Sequence, residues 1–364
     1  MLIIDAHLDL AWNALQWNRD LLDSAYTIRS RENHTPDLGR ALGTVALPEL
    51  RRGRVALCFA TLLARSTGRP AADIDFGSPT QAFGIARGQL AYYRALERSG
   101  HIRLITTAVE LDSHISEWQT WDDDNPASGI ENPQSQPPPL GFVISMESAD
   151  PILNPAELPE WWEAGVRVIG PAHYGPGRYA GGTSTELGLT ELGIGLLAEM
   201  EQLGLILDLT HFSDQAFWQA LARYHGSVLA SHNNCRALVP HQRQFSDEQL
   251  KAIFEREGVI GAAFDNWMLQ PGWIIGQSSN AQVALAHGVD HIDYVCQLAG
   301  NARHAALGSD LDGGFGRDQA PRDLDTIADL QKLIGLLAGR GYKDEDIAAI
   351  MHGNWLRLLR QSWG

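Results

Sequence analysis

The sequence predicts an α/β protein of the (β/α)8 TIM-barrel type, with a metal site at the C-terminal face of its strands. Three observations support this. Eight short, apolar runs rich in Val, Ile, Leu and Ala alternate with longer helix-like segments, the pattern of a parallel sheet buried on both faces. Eight such units favour a closed barrel over an open doubly wound sheet. No Gly-x-Gly-x-x-Gly follows the first run, which argues against dinucleotide binding.

Taken in order, the strand candidates are Leu2–Asp5, Val55–Leu62, Phe142–Glu147, Val166–Gly170, Leu205–Asp208, Val228–Ser231, Val259–Ala263 and Ala306–Ser309, with Ile102–Thr106 left over as a ninth short run. Helical segments are expected at Thr80–Ser99, Thr190–Leu203, Asp214–Tyr224, Asp247–Glu257 and Asn280–Gly300, and after the last strand at Asp325–Ala338 and Asp344–Arg360. Thr120–Leu140 stands apart. It carries Asp122-Asp123-Asp124 and Pro137-Pro138-Pro139 with few large apolar residues, and reads as an exposed insertion in a single domain spanning 1–364.

Bulk composition narrows the function classes. With 364 residues, 44% hydrophobic and 20% charged, the chain has the makeup of a globular protein with a sizeable core. A formal net charge of −16 argues against nucleic acid and anionic membrane surfaces as partners. Three scattered cysteines, Cys58, Cys235 and Cys296, fit a reducing compartment better than a disulfide framework. The first strand follows Met1 directly and no stretch reaches the length of a membrane span, so the expectation is a cytoplasmic protein with no membrane anchor.

In a parallel barrel, reactive groups sit where strands end. The opening Asp5-Ala6-His7-Leu8-Asp9 alternates, so His7 and Asp9 share a face. Glu147 ends the third strand and His173 follows the fourth. His211 and His232 follow the fifth and sixth, and Asp310 follows the eighth. Six of eight strands thus deliver a His, Asp or Glu to one face, which chance explains poorly. Imidazoles mixed with carboxylates suit two zinc-class ions, and a glutamate has two oxygens with which to bridge them. Such a pair holds a hydroxide and polarises a carbonyl, the chemistry of hydrolysis. Asp310 suits proton transfer to a leaving amine, with Asp312 a rival, and Arg243 or His173 suits a substrate carboxylate. Asp208 is a candidate for orienting a ligand.

These motifs resemble the membrane (renal-type) dipeptidase family, the peptidase M19 group of metal-dependent amidohydrolase-like barrels. The matching pieces are Asp5 to Asp9, Glu147, Gly188-Leu189-Thr190, Ile206 to His211, Ser231-His232, Arg243 with Asp247, Gly308 to Gly313, and Gly353 to Arg357, in order and along nearly the whole chain. The resemblance implies two Zn2+ per chain: one on His7 and Asp9, one on His211 and His232, with Glu147 bridging. It implies that His173 and Arg243 bind substrate, that Asp310 transfers the proton, and that dipeptides, including those with a D-residue second, are cleaved. A homodimer is compatible with it. The chain differs from the family pattern at Gln244, at Ser148-Ala149 and over Tyr174–Gly182. Many related barrels bridge their metals with a carboxylated lysine, but Lys251, Lys332 and Lys343 all lie late in the chain in or beside expected helices, which leaves Glu147 as the bridge. An amidase, N-acyl-amino-acid deacylase or lactonase on the same metals is the alternative reading.

Overall fold

The computed structural model describes residues 1–35, 37–125 and 135–364. Its core is a parallel barrel. The strands are β1 (Ile3–Leu8), β2 (Val55–Leu63), β3 (Ile102–Leu104), β4 (Leu140–Glu147), β5 (Val166–Gly170), β6 (Ile206–Asp208), β7 (Val228–Leu229), β8 (Ile260–Ala262) and β9 (Ala305–Leu307). They pair in the order β7-β6-β5-β4-β2-β1-β9-β8. The barrel closes just beyond β7, where Ala230 bridges Ile260. There Ala230 donates to the Val259 carbonyl at 2.9 Å and Gly261 donates to the Ala230 carbonyl at 2.8 Å.

The eight expected strands form the barrel, and the ninth run has a place of its own. β4 is long enough to serve two neighbours on one edge. Its start, at Leu140–Phe142, pairs with β3, and its end, at Ile144–Glu147, pairs with β5. Thus β3 extends the sheet below the barrel without joining the ring.

The Thr120–Leu140 expectation is corrected at both ends. Residues through Asp124 complete a helix, Ala108–Asp124, and Leu140 already belongs to β4. Thr107 and Glu110 form a reciprocal capping box at that helix's start. Trp118 ties the helix's later turns to the sheet by donating to the Pro139 carbonyl at 3.0 Å. Residues 126–134 of the expected insertion lie outside the described residues. Toward the C-terminus, a π-helical turn at Ala349–Gly353 leads into the helix Asn354–Trp363. Trp355 is fully buried there and donates to the Leu307 carbonyl at 2.8 Å, plugging the barrel beside β9. No described helix is long and apolar enough to cross a membrane.

The closure seam determines where the site forms. The Ser231 carbonyl is pressed between Gly261 and Gly308: a Cβ on either would stand 2.0 Å or 1.7 Å from that oxygen. Only glycine permits this approach, and it sets the backbone immediately before His232. Gly308→Ala should therefore cost roughly 3 kcal/mol, the scale of a badly overpacked core site. Urea unfolding of the two proteins under one condition measures this; an unchanged midpoint would show that the seam relaxes freely.

Candidate active site

The predicted residues converge at the upper mouth of the barrel, because each leaves a strand at the same end. His7, Asp9, Glu147, His211 and His232 are buried, while His173 and Asp310 are half-buried at the cavity wall. The backbone there takes unusual forms: Ser148, His211, Asp310 and Asp312 all have positive φ, at 67°, 67°, 58° and 64°. Such conformations cost of order 1–3 kcal/mol each in non-glycine residues and persist only where surrounding bonds hold them.

Glu147 stands at the centre and turns its two oxygens different ways. Its Oε2 lies 3.6 Å from His7 Nε2. Its Oε1 lies 3.1 Å from His211 Nε2, 3.3 Å from His232 Nε2 and 3.7 Å from His173 Nε2. On the Oε2 side, His7 Nε2 is 3.7 Å from Asp9 Oδ2 and 3.8 Å from Asp310 Oδ1. The ligand-type groups therefore fall into two sets that share one carboxylate.

Hydrogen bonds behind the rings decide which nitrogen carries a proton. Ser231 donates its hydroxyl to Asp208 Oδ2 at 2.5 Å, so its oxygen accepts from His232 Nδ1 at 2.8 Å. That leaves a bare lone pair on His232 Nε2. Thr183 donates to the His211 carbonyl at 3.3 Å and lies 3.1 Å from His211 Nδ1, with the same consequence for His211. Yet the two Nε2 atoms are only 3.1 Å apart and both face the Glu147 carboxylate. Lone pairs facing one another and a carboxylate in a buried space repel unless a cation lies among them. His7 Nε2 and Asp9 Oδ1 are likewise buried without a hydrogen-bond partner. The donor set, imidazole with carboxylate, fits zinc-class ions.

Electrostatics agree. Burial disfavours charge on His7, but Glu147, Asp9 and Asp310 outweigh it and push its pKa up to about 10. Burial first, then Asp9 and Asp310, lifts Glu147 to about 8 against the pull of His7 and Arg243. Burial, reinforced by Asp9 and opposed by His7 and Arg243, lifts Asp310 to about 7. His173, His211 and His232 are held well below the usual histidine range, by burial first and by neighbouring cations such as Arg243. Crowded carboxylates that retain protons in this way are the groups a divalent cation deprotonates.

Above Glu147 opens a cavity of about 340 Å³, at the small end for ligand sites. Arg243 lines it, with Nη1 donating to Asn233 Oδ1 at 2.6 Å and Nη2 to the His232 carbonyl at 2.9 Å. Trp12, Leu63, Ile74, Trp267 and Met268 supply apolar wall. The rivalry between Asp310 and Asp312 is resolved by their partners. Asp310 lines the cavity, whereas Asp312 is buried, accepts from Thr44 N, Thr44 Oγ1 and Val45 N at 2.7–3.0 Å, and faces Arg19 Nη1 at 3.3 Å. Asp312 thus ties down the chain after β1. Asp208 orients His232, through Ser231 rather than directly.

Two charged cavity residues escaped the sequence reading. Asp265 lies beyond β8, is buried, and accepts from Gln319 Nε2 at 2.8 Å; burial and nearby Asp310 hold its pKa well above the usual carboxylate range. Arg65 lies beyond β2. The strand-end rule that found His173, three residues past its strand, would have found both had it been applied to the second and seventh expected strands as well. The loop after His173 is folded back on itself, with bridges Tyr174 to Thr183 and Pro176 to Gly181. All three cysteines are buried and free.

Comparison with known proteins places the chain in a family. The chain is 34% identical over 215 residues to an uncharacterised protein encoded 5′ of pqqA in Klebsiella pneumoniae, covering 57% of this chain and 76% of that one. It is 26% identical over 367 residues to dipeptidase aclJ of Aspergillus oryzae, covering 98% and 77%. Among solved structures, a metallopeptidase of Rhodobacter sphaeroides bound to a phosphinate mimic of L-Ala-D-Ala shares the fold, with a TM-score of 0.76, 23% identity and coverage of 100% and 99%. The metallopeptidase dipeptidase AC has the same fold, with a TM-score of 0.76, 24% identity and coverage of 100% and 99%. The family model described as membrane dipeptidase, peptidase family M19, matches residues 1–362. The chain belongs to that membrane dipeptidase family, peptidase family M19, as a metal-dependent hydrolase.

Proposed function

We propose that the chain hydrolyses dipeptides with free termini, including those with a D-residue at the second position, using two zinc ions. The observation that carries this reading is the division of Glu147, one oxygen toward His7 and the other toward His211 and His232, beneath a small cavity that holds a buried arginine. In this reading His7 and Asp9 hold one ion, His211 and His232 the other, and Glu147 both. Bound there, the ions supply a Lewis acid for the scissile carbonyl and make water acidic enough to attack near neutral pH. The L-Ala-D-Ala mimic bound by the Rhodobacter sphaeroides enzyme supports including a D-residue.

The chain's own groups do the rest. Arg243 uses one N–H on each terminal nitrogen to hold its place, and its remaining donors pair with the substrate's terminal carboxylate. His173 offers a hydrogen bond to the carbonyl oxygen as negative charge builds there. Asp310, at the cavity wall 3.8 Å from His7 Nε2, takes up a proton during attack and passes it to the departing amine.

The direct test is hydrolysis of L–L and L–D dipeptides by zinc-loaded protein beside a chelated control. Cleavage of free dipeptides, abolished by chelation and by N-acetylation of the substrate, is expected. Cleavage of N-acyl substrates in preference to free dipeptides would replace this reading with the deacylase one.

Two further outcomes follow from the site. Asp310→Asn should keep its metal and stability while turnover drops roughly 10²- to 10⁴-fold. Asp312→Asn should instead lose roughly 2–4 kcal/mol of stability, since it leaves Arg19 and the Thr44 amide under-satisfied. Metal content, unfolding and turnover of both variants separate the roles, and the reverse pattern would exchange them.

Metal removal should also show a definite pH dependence. In the metal-free fold, Glu147 and Asp310 keep protons that the unfolded chain releases at about pH 4. Stability therefore falls as pH rises from there through about 7 to 8, and His7 continues the loss toward 10. Metal binds the deprotonated ligands, so its stabilisation grows over the same range. The gap in thermal midpoint between loaded and chelated protein should widen from acidic to mildly alkaline pH; a constant gap would contradict the ligand assignment.

A further inference from the structure

Among the described residues of the cluster, His173 alone has a cation against its second ring nitrogen. Arg65 Nη1 lies 2.9 Å from His173 Nδ1 and 3.4 Å from the Tyr174 carbonyl. Arg65 is itself held in place. Its amide donates to the Ile74 carbonyl at 2.8 Å, and its carbonyl accepts from Phe76 N at 2.7 Å. Its Nε lies 3.5 Å from Asp75 Oδ2, and Asp75 in turn accepts from Thr67 N and Oγ1. The loop beyond β2 thus closes on itself and presents one guanidinium edge to the imidazole.

A guanidinium has donors and no acceptor. Nδ1 of His173 must then be the accepting lone pair, which places the ring proton on Nε2. That atom points into the cavity, 3.7 Å from Glu147 Oε1. By distance alone His173 groups with Glu147 and His211 as a ligand set, but an imidazole with its proton on Nε2 cannot ligate through Nε2. His232 and His211 have the opposite arrangement, because Ser231 and Thr183 accept from their Nδ1 atoms. One cavity therefore holds both tautomers, lone pairs where cations belong and an N–H where an oxygen belongs.

We infer that Arg65 is a positioning residue that fixes His173 as an Nε2–H donor to the substrate carbonyl oxygen and keeps it out of the metal-ligand set. This rests on the reading of His173 in the proposed hydrolysis. Its experiment has a readout that does not need turnover: 15N NMR of histidine-labelled, zinc-loaded protein. Wild type should show His173 protonated on Nε2 and bare on Nδ1. Arg65→Met should shift the ring toward the other tautomer and lower kcat roughly 10- to 100-fold with KM and zinc content little changed. Arg65→Lys, which retains a donor, should keep the tautomer and most of the rate. Placed on His173→Ala, Arg65→Met should cost nothing further, as expected for a residue acting through another.

A wild-type His173 protonated on Nδ1 would overturn the inference. So would an Arg65→Met loss of the same size with and without His173. Failure to cleave any dipeptide would fell the functional reading alone, with the tautomer still decided by NMR.

Discussion

Three carboxylates and four imidazoles cannot share a buried mouth unless positive charge is supplied. Asp9, Glu147 and Asp310 all lie within 4 Å of His7 Nε2, and the pull of His7 and Arg243 does not offset burial and carboxylate repulsion at Glu147 and Asp310. The metal-free fold answers by holding protons on Glu147 and Asp310. Divalent cations remove that need and turn repulsive contacts into ligation. Much of the surrounding architecture serves this constraint. Strands end at one level, four backbone positions adopt positive φ, and Gly261 and Gly308 let the chain before His232 press inward.

A second level of control lies behind the rings. Ser231 with Asp208, Thr183, and Arg65 each meet an Nδ1 atom and thereby assign the function of the Nε2 atom that faces the cavity. Four histidines of the same chemical type come to differ in role through their outer partners. Asp312 has a comparable supporting role: two residues from Asp310, it holds the chain after β1 while Asp310 remains available at the cavity wall.

Much of this was legible in the sequence, and the exceptions have physical causes. Apolar runs located all eight barrel strands because strands buried on both faces need no alternation. β3 stayed ambiguous because a three-residue strand pairs with only the first part of β4, and periodicity says nothing about shared edges. The helix Ala108–Asp124 was not among the expected helices: the Thr107–Glu110 spacing of its capping box went unread, and the acidic run at its end gave that stretch the look of a loop. His7, Asp9, Glu147, His173, His211, His232, Arg243 and Asp310 do share one cavity mouth, since a barrel aligns strand ends however distant in sequence. The two strands that seemed to contribute nothing, β2 and β8, supply Arg65 and Asp265 just beyond their ends. Of the orienting partners Asp208 was legible, three residues before His211 although it acts on His232, but the others were not: Arg65 and His173 are 108 residues apart, and Thr183 and His211 are 28 apart. Serine, threonine and arginine are too common for composition to single them out.

The central claim is that Glu147 is shared by two ions, one beside His7 and Asp9 and one beside His211 and His232. Anomalous diffraction from crystals of the zinc-loaded protein, collected on both sides of the zinc edge, tests it most directly. The expected map has two peaks flanking the Glu147 carboxylate, each within bonding distance of one oxygen. A single peak, or two peaks of which only one touches Glu147, would contradict the account.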